Sequence, residues 1–183
     1  MSFMFHPYPY ADPDAVNIVS GNGYSPKRGL TVGKTIASLL KEGKNIGIDC
    51  YPGADVKALM NVLHQFVAGY KATYVNAEEL SKSSEKITEM LKSYLPEDRE
   101  LDPVLLYGRR YEAGYTGLQD EKKVIALKQT LAAEKGIIVY GRGALSPELQ
   151  DCYDVRIWVD VTPRTAVLNY KYGQVRNYGA GED

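Results

Sequence analysis

Histidine and cysteine are scarce in this chain, and the two shortages together remove the commonest metal chemistries. Its 183 residues contain two of each. His6 and His64 cannot build a multi-histidine metal centre, so any metal would need a site made of carboxylates alone. Cys50 and Cys152 are too few and too far apart for a disulfide framework or a zinc module, which predicts free thiols and a reducing compartment. Long apolar runs are missing too, where a membrane-spanning helix needs about 20 residues. The start, MSFMFHPYPYADPD, has neither the cationic region nor the uninterrupted apolar core of a signal peptide. A cytoplasmic location without a membrane partner is expected. Excess charge is also absent: the formal net charge of -1 supplies no global field for nucleic acid.

What is present is ordinary globular composition, 44% hydrophobic and 25% charged, in a chain long enough for one α/β domain. Residues 1–30 are rich in Pro, Tyr, Asn and Gly, with Val16 to Ser20 the one strand-like piece, and read as an arm lying over a domain. Residues 31–176 carry the periodic structure. Thr31 can cap a helix to about Leu40, and Ile46 to Asp49 reads as a strand. Lys57 to Ala68 has a helical apolar stripe, and ATYVNA follows as a second strand. One polar helix is predicted over residues 78–95, then a third strand in PVLLYG (residues 103–108). DEKKVIALKQTLAAEKG is a helix stopped by Gly136, and IIVYG is the fourth strand. SPELQDCYD predicts a short helix and VRIWVDV a fifth strand. A last helix starts at the Thr162 cap with Pro163 in its first turn. Residues 177–183 read as a flexible tail. Strands alternating with helices, several of them continuous apolar runs, predict an α/β fold with a mainly parallel five-stranded sheet flanked by helices.

Two stretches invite comparison with a phosphate-binding loop. Gly29 to Thr35 ends in Gly-Lys-Thr, but only three residues separate its glycines and no apolar strand precedes it, so a helical turn that happens to hold Lys34 and Thr35 is the simpler reading. Cys50, Tyr51, Pro52, Gly53, Ala54, Asp55, Val56 and Lys57 have the right strand–loop–helix context and the wrong residues. Side chains stand at Cys50 and Asp55 where glycine gives close backbone approach, Val56 takes the lysine place, and Lys57 offers no hydroxyl for magnesium. Asp55 can instead cap the helix and fill the anion seat from within.

Arg109, Arg110 and Arg142 follow predicted strand ends, where open α/β sheets bind ligands. They can grip a phosphate or simply pair with acids in solvent. Cys50, at a helix entry, is either a thiol of lowered pKa or a small structural residue. His64, beside Leu63 on an apolar helix, reads as a core-edge histidine.

The strand-loop IGIDCYPG, together with GIIVYGRGALSPELQDCYDVRIWVDV and a following helix, resembles the uridine kinase and phosphoribulokinase-like branch of P-loop phosphotransferases. The resemblance implies a P-loop NTPase-like fold with a degenerate phosphate loop. Tyr140 stands where that branch has an acidic residue at a strand end. Glu78 is the displaced counterpart of its acceptor-activating acid, and the arginine-rich lid is reduced to Arg164, Lys171 and Arg176. DCYPG, VDVTPRTAVLNYKYGQVRNYG and the Pro/Tyr-rich start are similar to the kinase-like N-terminal region of bacterial class I mannose-6-phosphate isomerases, where a cupin domain follows. That likeness implies a non-catalytic ligand-binding or interaction module beside an isomerase domain. Two alternatives stay open. One is an active small-molecule kinase using ATP and magnesium, with Lys57 or an arginine on the phosphates and Glu78 or Asp160 on the metal. The other is a homodimerisation module.

Overall fold

A computed structural model describes residues 30–96 and 109–180. The first helix, α1 (Leu30–Lys41), begins before Thr31, so the expected cap lies inside the first turn, where its carbonyl accepts the Thr35 hydroxyl at 2.8 Å. Gly33 sits in this helix because α2 crosses there: a Cβ at Gly33 would run into the Phe66 ring. Lys34 is exposed. The Gly-Lys-Thr of this segment is thus helix packing and a solvated face.

Strand β1 (Ile46–Cys50) is buried along its whole length, as expected of a strand covered on both sides. It leads through the Tyr51–Asp55 loop into α2 (Val56–Val67), and β2 (Thr73–Asn76) follows. The single helix expected over residues 78–95 is broken. A 3-10 turn at Ala77–Leu80 ends in extended backbone at Ser81, which bridges to Gln119, and Ser83 then caps a separate helix, α3 (Ser84–Leu91). Two cap-forming serines divide what the polar pattern joined. After α4 (Gly114–Leu118), Asp120 caps α5 (Glu121–Ala133) by accepting from the Lys122 and Lys123 amides. Gly136 turns the chain at a φ of 75° into β3 (Ile137–Tyr140). In place of the expected helix over residues 146–154 there are turns and one 3-10 turn, Gln150–Cys152. Then come β4 (Val155–Val159) and α6 (Pro163–Lys171), capped by Thr162 with Pro163 at its start.

All strand pairs are parallel and the order is β2-β3-β1-β4. The α/β class and the helix-flanked parallel sheet are therefore as the alternation implied. The strand count is not: among the described residues the sheet has four strands, and the strand expected at 103–108 lies outside them, as does Val16 to Ser20. One face packs Ile36, Leu40, Met60, Leu63 and Val67 of α1 and α2 over Ile46, Ile48 and Ile138. The other packs Val124, Leu127 and Leu131 of α5, with Leu149 and Tyr153, over Ile137 and Val139. Asn45, 1% exposed, joins the start of β1 to the start of β3 and the carboxyl end of α5. Its amide donates to Leu131 and Glu134 carbonyls, each at 2.9 Å, and accepts from Ile137 N at 3.1 Å.

The chain leaving β1 enters the first layer, and the chain leaving β3 supplies Leu149 and Tyr153 to the second. These neighbouring strands send their connections to opposite faces, and a crevice opens between their carboxyl ends, where open α/β sheets place ligands. No helix among the described residues is long and apolar enough to cross a membrane.

Candidate functional site

At that crevice, Asp49 is 4% exposed and its carboxylate is surrounded by backbone donors. It accepts from Cys50 N at 2.7 Å, Leu145 N at 2.8 Å and Gly143 N at 3.2 Å. Burial raises its pKa, and those three amides pull against the rise. The two latter bonds span from β1 to the Gly141-Arg142-Gly143 turn after β3. Both glycines take positive φ, 103° and 84°, a sharp bend that points Arg142 at the crevice.

Arg142 is nearly sealed, its side chain 6% exposed, and it meets Glu78 in a two-point pair: Nε to Oε1 at 2.8 Å and Nη2 to Oε2 at 2.9 Å. Its Nη1 donates to the Tyr170 hydroxyl at 3.3 Å, and the guanidinium lies 5.8 Å from the Tyr178 ring centroid. Burial alone would lower the Arg142 pKa, but the bond and charge of Glu78 outweigh it and hold the guanidinium charged. Glu78 is positioned by the 3-10 turn after β2, whose Asn76 side chain accepts from Glu78 N at 3.0 Å.

The loop after β1 uses its own amides. Tyr51 N donates to Val159 O, Ala54 N to Tyr51 O and Val56 N to Ala54 O, at 2.9, 2.9 and 3.0 Å. Asp55 accepts from Ala58 N at 2.9 Å and caps α2. Gly53, at a φ of 96°, lies under α6: an added Cβ would stand 2.6 Å from Ala166 Cβ and 2.8 Å from its Cα. Asn169 donates to Gly53 O at 2.7 Å, fastening the helix to the loop. A phosphate cradle needs backbone N–H groups aimed at the ligand. Here those of residues 50, 51, 54, 56 and 58 all point to protein acceptors.

A cleft of about 560 Å³ opens beside this loop, lined by Ala54, Asp55, Lys57, Glu78, Arg142 and Arg176 among others. A second chamber of about 350 Å³ shares Val56, Lys57, Asn76 and Glu78 with it and adds Met60, Asn61, His64 and Tyr140. Of the anticipated residues, Ala54, Asp55, Val56, Lys57, Glu78, Arg142 and Arg176 come together here. The others stand elsewhere. Arg109 donates to Ser93 O at 2.7 Å beyond α3 with exposed Arg110 beside it, Arg164 and Lys171 are exposed on α6, and Asp160 is exposed, accepting from Val161 N at 2.9 Å. Cys50 is 1% exposed and burial pushes its thiol up to about 12, a structural residue and no nucleophile.

Three features escaped the sequence reading. Asp49 is the keystone between β1 and the Arg142 turn, and a lone acid at the end of an apolar strand was its signal. His64 is exposed, stacked on Tyr74 at 4.4 Å, and lines the second chamber, so it is no core-edge residue: the apolar stripe faces the other way. The expected loose tail packs down as far as Ala180. Tyr178 lies 4.9 Å from Tyr115, ring to ring, and Gly179 sits tight against Ile87. Residues 181–183 lie outside the described part. Among the described residues no three of His, Cys, Asp and Glu are grouped to hold a metal ion.

The family described as Domain of unknown function (DUF8485) matches residues 33–183. No curated protein matches the chain.

Proposed function

The chain belongs to the DUF8485 family, and we propose that it is a kinase-like α/β domain, degenerate at its phosphate loop, that binds a small phosphorylated ligand without transferring phosphate. One observation carries this reading: the helix start after β1, the turn after β3 and the arginine on that turn are each paired with an acid of the protein itself. Asp55 takes the Ala58 amide in the first turn of α2, Asp49 takes the Gly143 and Leu145 amides, and Glu78 takes the Nε and Nη2 edge of the Arg142 fork. Phosphoryl transfer works by positioning and charge stabilisation, and needs a cation and a metal at the transferring group. ATP with magnesium fits this loop poorly: the amides of residues 50, 51, 54, 56 and 58 are engaged and residue 57 has no hydroxyl.

The cleft remains, with Lys57 and other polar groups on its walls. That supports binding of a small polar anion. The likeness to the region preceding the cupin domain of mannose-6-phosphate isomerases supports a role beside sugar-phosphate chemistry, with isomerisation assigned to the companion domain. Calorimetric titration with ATP, with and without magnesium, tests the reading. No saturable ATP binding is expected, and magnesium-dependent ATP binding with phosphate release to an acceptor overturns it in favour of an atypical kinase.

A further inference from the structure

β4 ends the sheet order, so one of its two edges has no strand beside it among the described residues. Which groups face that edge follows from the pairing on the other side. Val155 N donates to Asn45 O and Val159 O accepts from Tyr51 N, so residues 155, 157 and 159 turn their backbone groups toward β1. The N–H and C=O of Arg156 and Trp158 therefore face outward, because backbone direction alternates along a strand. Side chains alternate too. Ile157 and Val159 pack against the layer of α1 and α2, which puts Arg156 and Trp158 on the other face of the sheet. Trp158, the one tryptophan of the chain, is 52% exposed there. Arg156 has a 3.5 Å contact with Asp151, both side chains open to water. Asp160 is exposed, gives Oδ1 to Val161 N, and joins no ion pair among the described residues.

We propose that this edge pairs antiparallel with β4 of a second copy of the chain, about a two-fold axis midway between the two Trp158 residues. With Trp158 opposite its own copy, Arg156 falls opposite Asp160 and Ile157 opposite Val159, since the strands run in opposite directions from the axis. Trp158 and Arg156 then occupy the bonded positions of the ladder, where outward N–H and C=O groups exchange hydrogen bonds. Every pair matches: a base meets an acid twice, the two indoles lie side by side on one face, and aliphatic side chains meet on the other. Moving the axis to Ile157 keeps the backbone bonds but sets Asp154 against Asp160, and moving it to Arg156 sets two arginines together. Arg156 on an open edge also repels any strand that lacks an acid at the matching place, so the charge that guards the edge selects this partner. The strand is short, five residues, which makes the dimer a weak one in the micromolar range. The pairing is independent of what the cleft binds.

Sedimentation of the full chain over a range of concentrations tests this, with Trp158 fluorescence as the local reporter. The unaltered protein should pass from monomer to dimer as it is concentrated, and acrylamide should quench Trp158 less in the dimer. Arg156→Glu and Asp160→Arg should each weaken the dimer by about tenfold, because each sets like charges opposite one another at two places. Both positions are exposed, so thermal melts are expected to coincide. The double variant restores opposite charges and should regain most of the affinity. A monomer at every concentration overturns the proposal, and so does a monomer whose Trp158 is already shielded, which would mean that the chain covers the edge itself. A dimer indifferent to both single changes uses another surface, and one weakened by them without rescue in the double variant uses another register; either result overturns the pairing.

Discussion

Arg142 and Glu78 meet through two parallel bonds of 2.8 and 2.9 Å, although 64 residues separate them, and they tie the end of β3 to the end of β2. Such a fork-to-carboxylate pair is the strongest form of ion pair and the most directional. Its asymmetry matters: the guanidinium is nearly sealed while Glu78 keeps 31% of its side chain exposed.

Removing Glu78 therefore strands a buried cation. Glu78→Ala is expected to destabilise the domain by about 2 kcal/mol, less than the about 3–5 kcal/mol of fully buried pairs because water reaches this carboxylate. Adding Arg142→Met should restore part of the loss. Urea unfolding of the two single variants and the double variant measures the coupling, and strict additivity contradicts it.

Asp55→Ala removes the α2 cap and should cost about 1 kcal/mol in urea unfolding. Asp55→Asn, which keeps an acceptor oxygen for Ala58 N, should cost less. Equal losses would mean that the charge, and not the hydrogen bond, supports the helix.

Gly53→Ala combines a positive φ with a collision against the α6 backbone. A loss of about 2 kcal/mol or more is expected, since the strain and the overpacking act together. Asn169→Ala breaks the same attachment by removing a donor from a buried carbonyl and should cost about 1–3 kcal/mol. Hydrogen exchange should quicken in the 51–58 loop for both variants, and unchanged exchange there would refute the attachment.

Asp49 sets a pH dependence. Burial lifts its pKa above the ordinary 3.8, so the folded protein binds this proton more readily than the unfolded chain does. Stability contributed by that proton is full below 3.8 and is lost as pH rises through the folded value. The stability of the unaltered protein minus that of Asp49→Asn should be larger near about pH 4 than near about pH 7. A difference that grows with pH would show that the three amide donors outweigh burial.

Much of the fold was legible because periodicity reports burial. The runs at Ile46 and Ile137, buried on both faces, announced central parallel strands, and Asp120, Thr162 and Gly136 marked helix ends through local hydrogen bonding and backbone conformation. The break at Ser81 was not legible, because a polar helical pattern does not say that Ser83 will start a new helix. Asp55 was legible as the cap of α2 in the same way, from local chemistry. The partnership of Arg142 with Glu78 and the contacts of Arg142 with Tyr170 and Tyr178 depend on strand order, which local pattern does not encode. Arg109 and Arg110 show the converse: position after a predicted strand suggested a ligand contact, and the chain carried them beyond α3.

The central place of β1 has a consequence for how the chain is born. Ile46 pairs with Ile138 on one side and Val155 on the other, and the Gly53 turn waits for Asn169, which lies 116 residues later. A ribosome delivers this strand first and its neighbours last. Throughout most of synthesis both edges of this strand, buried along its whole length in the finished fold, stand open, a state that favours pairing with other chains. The edge facing β4 is covered only after Val155–Val159 has been made, and the turn after β1 only once α6 can be laid across it.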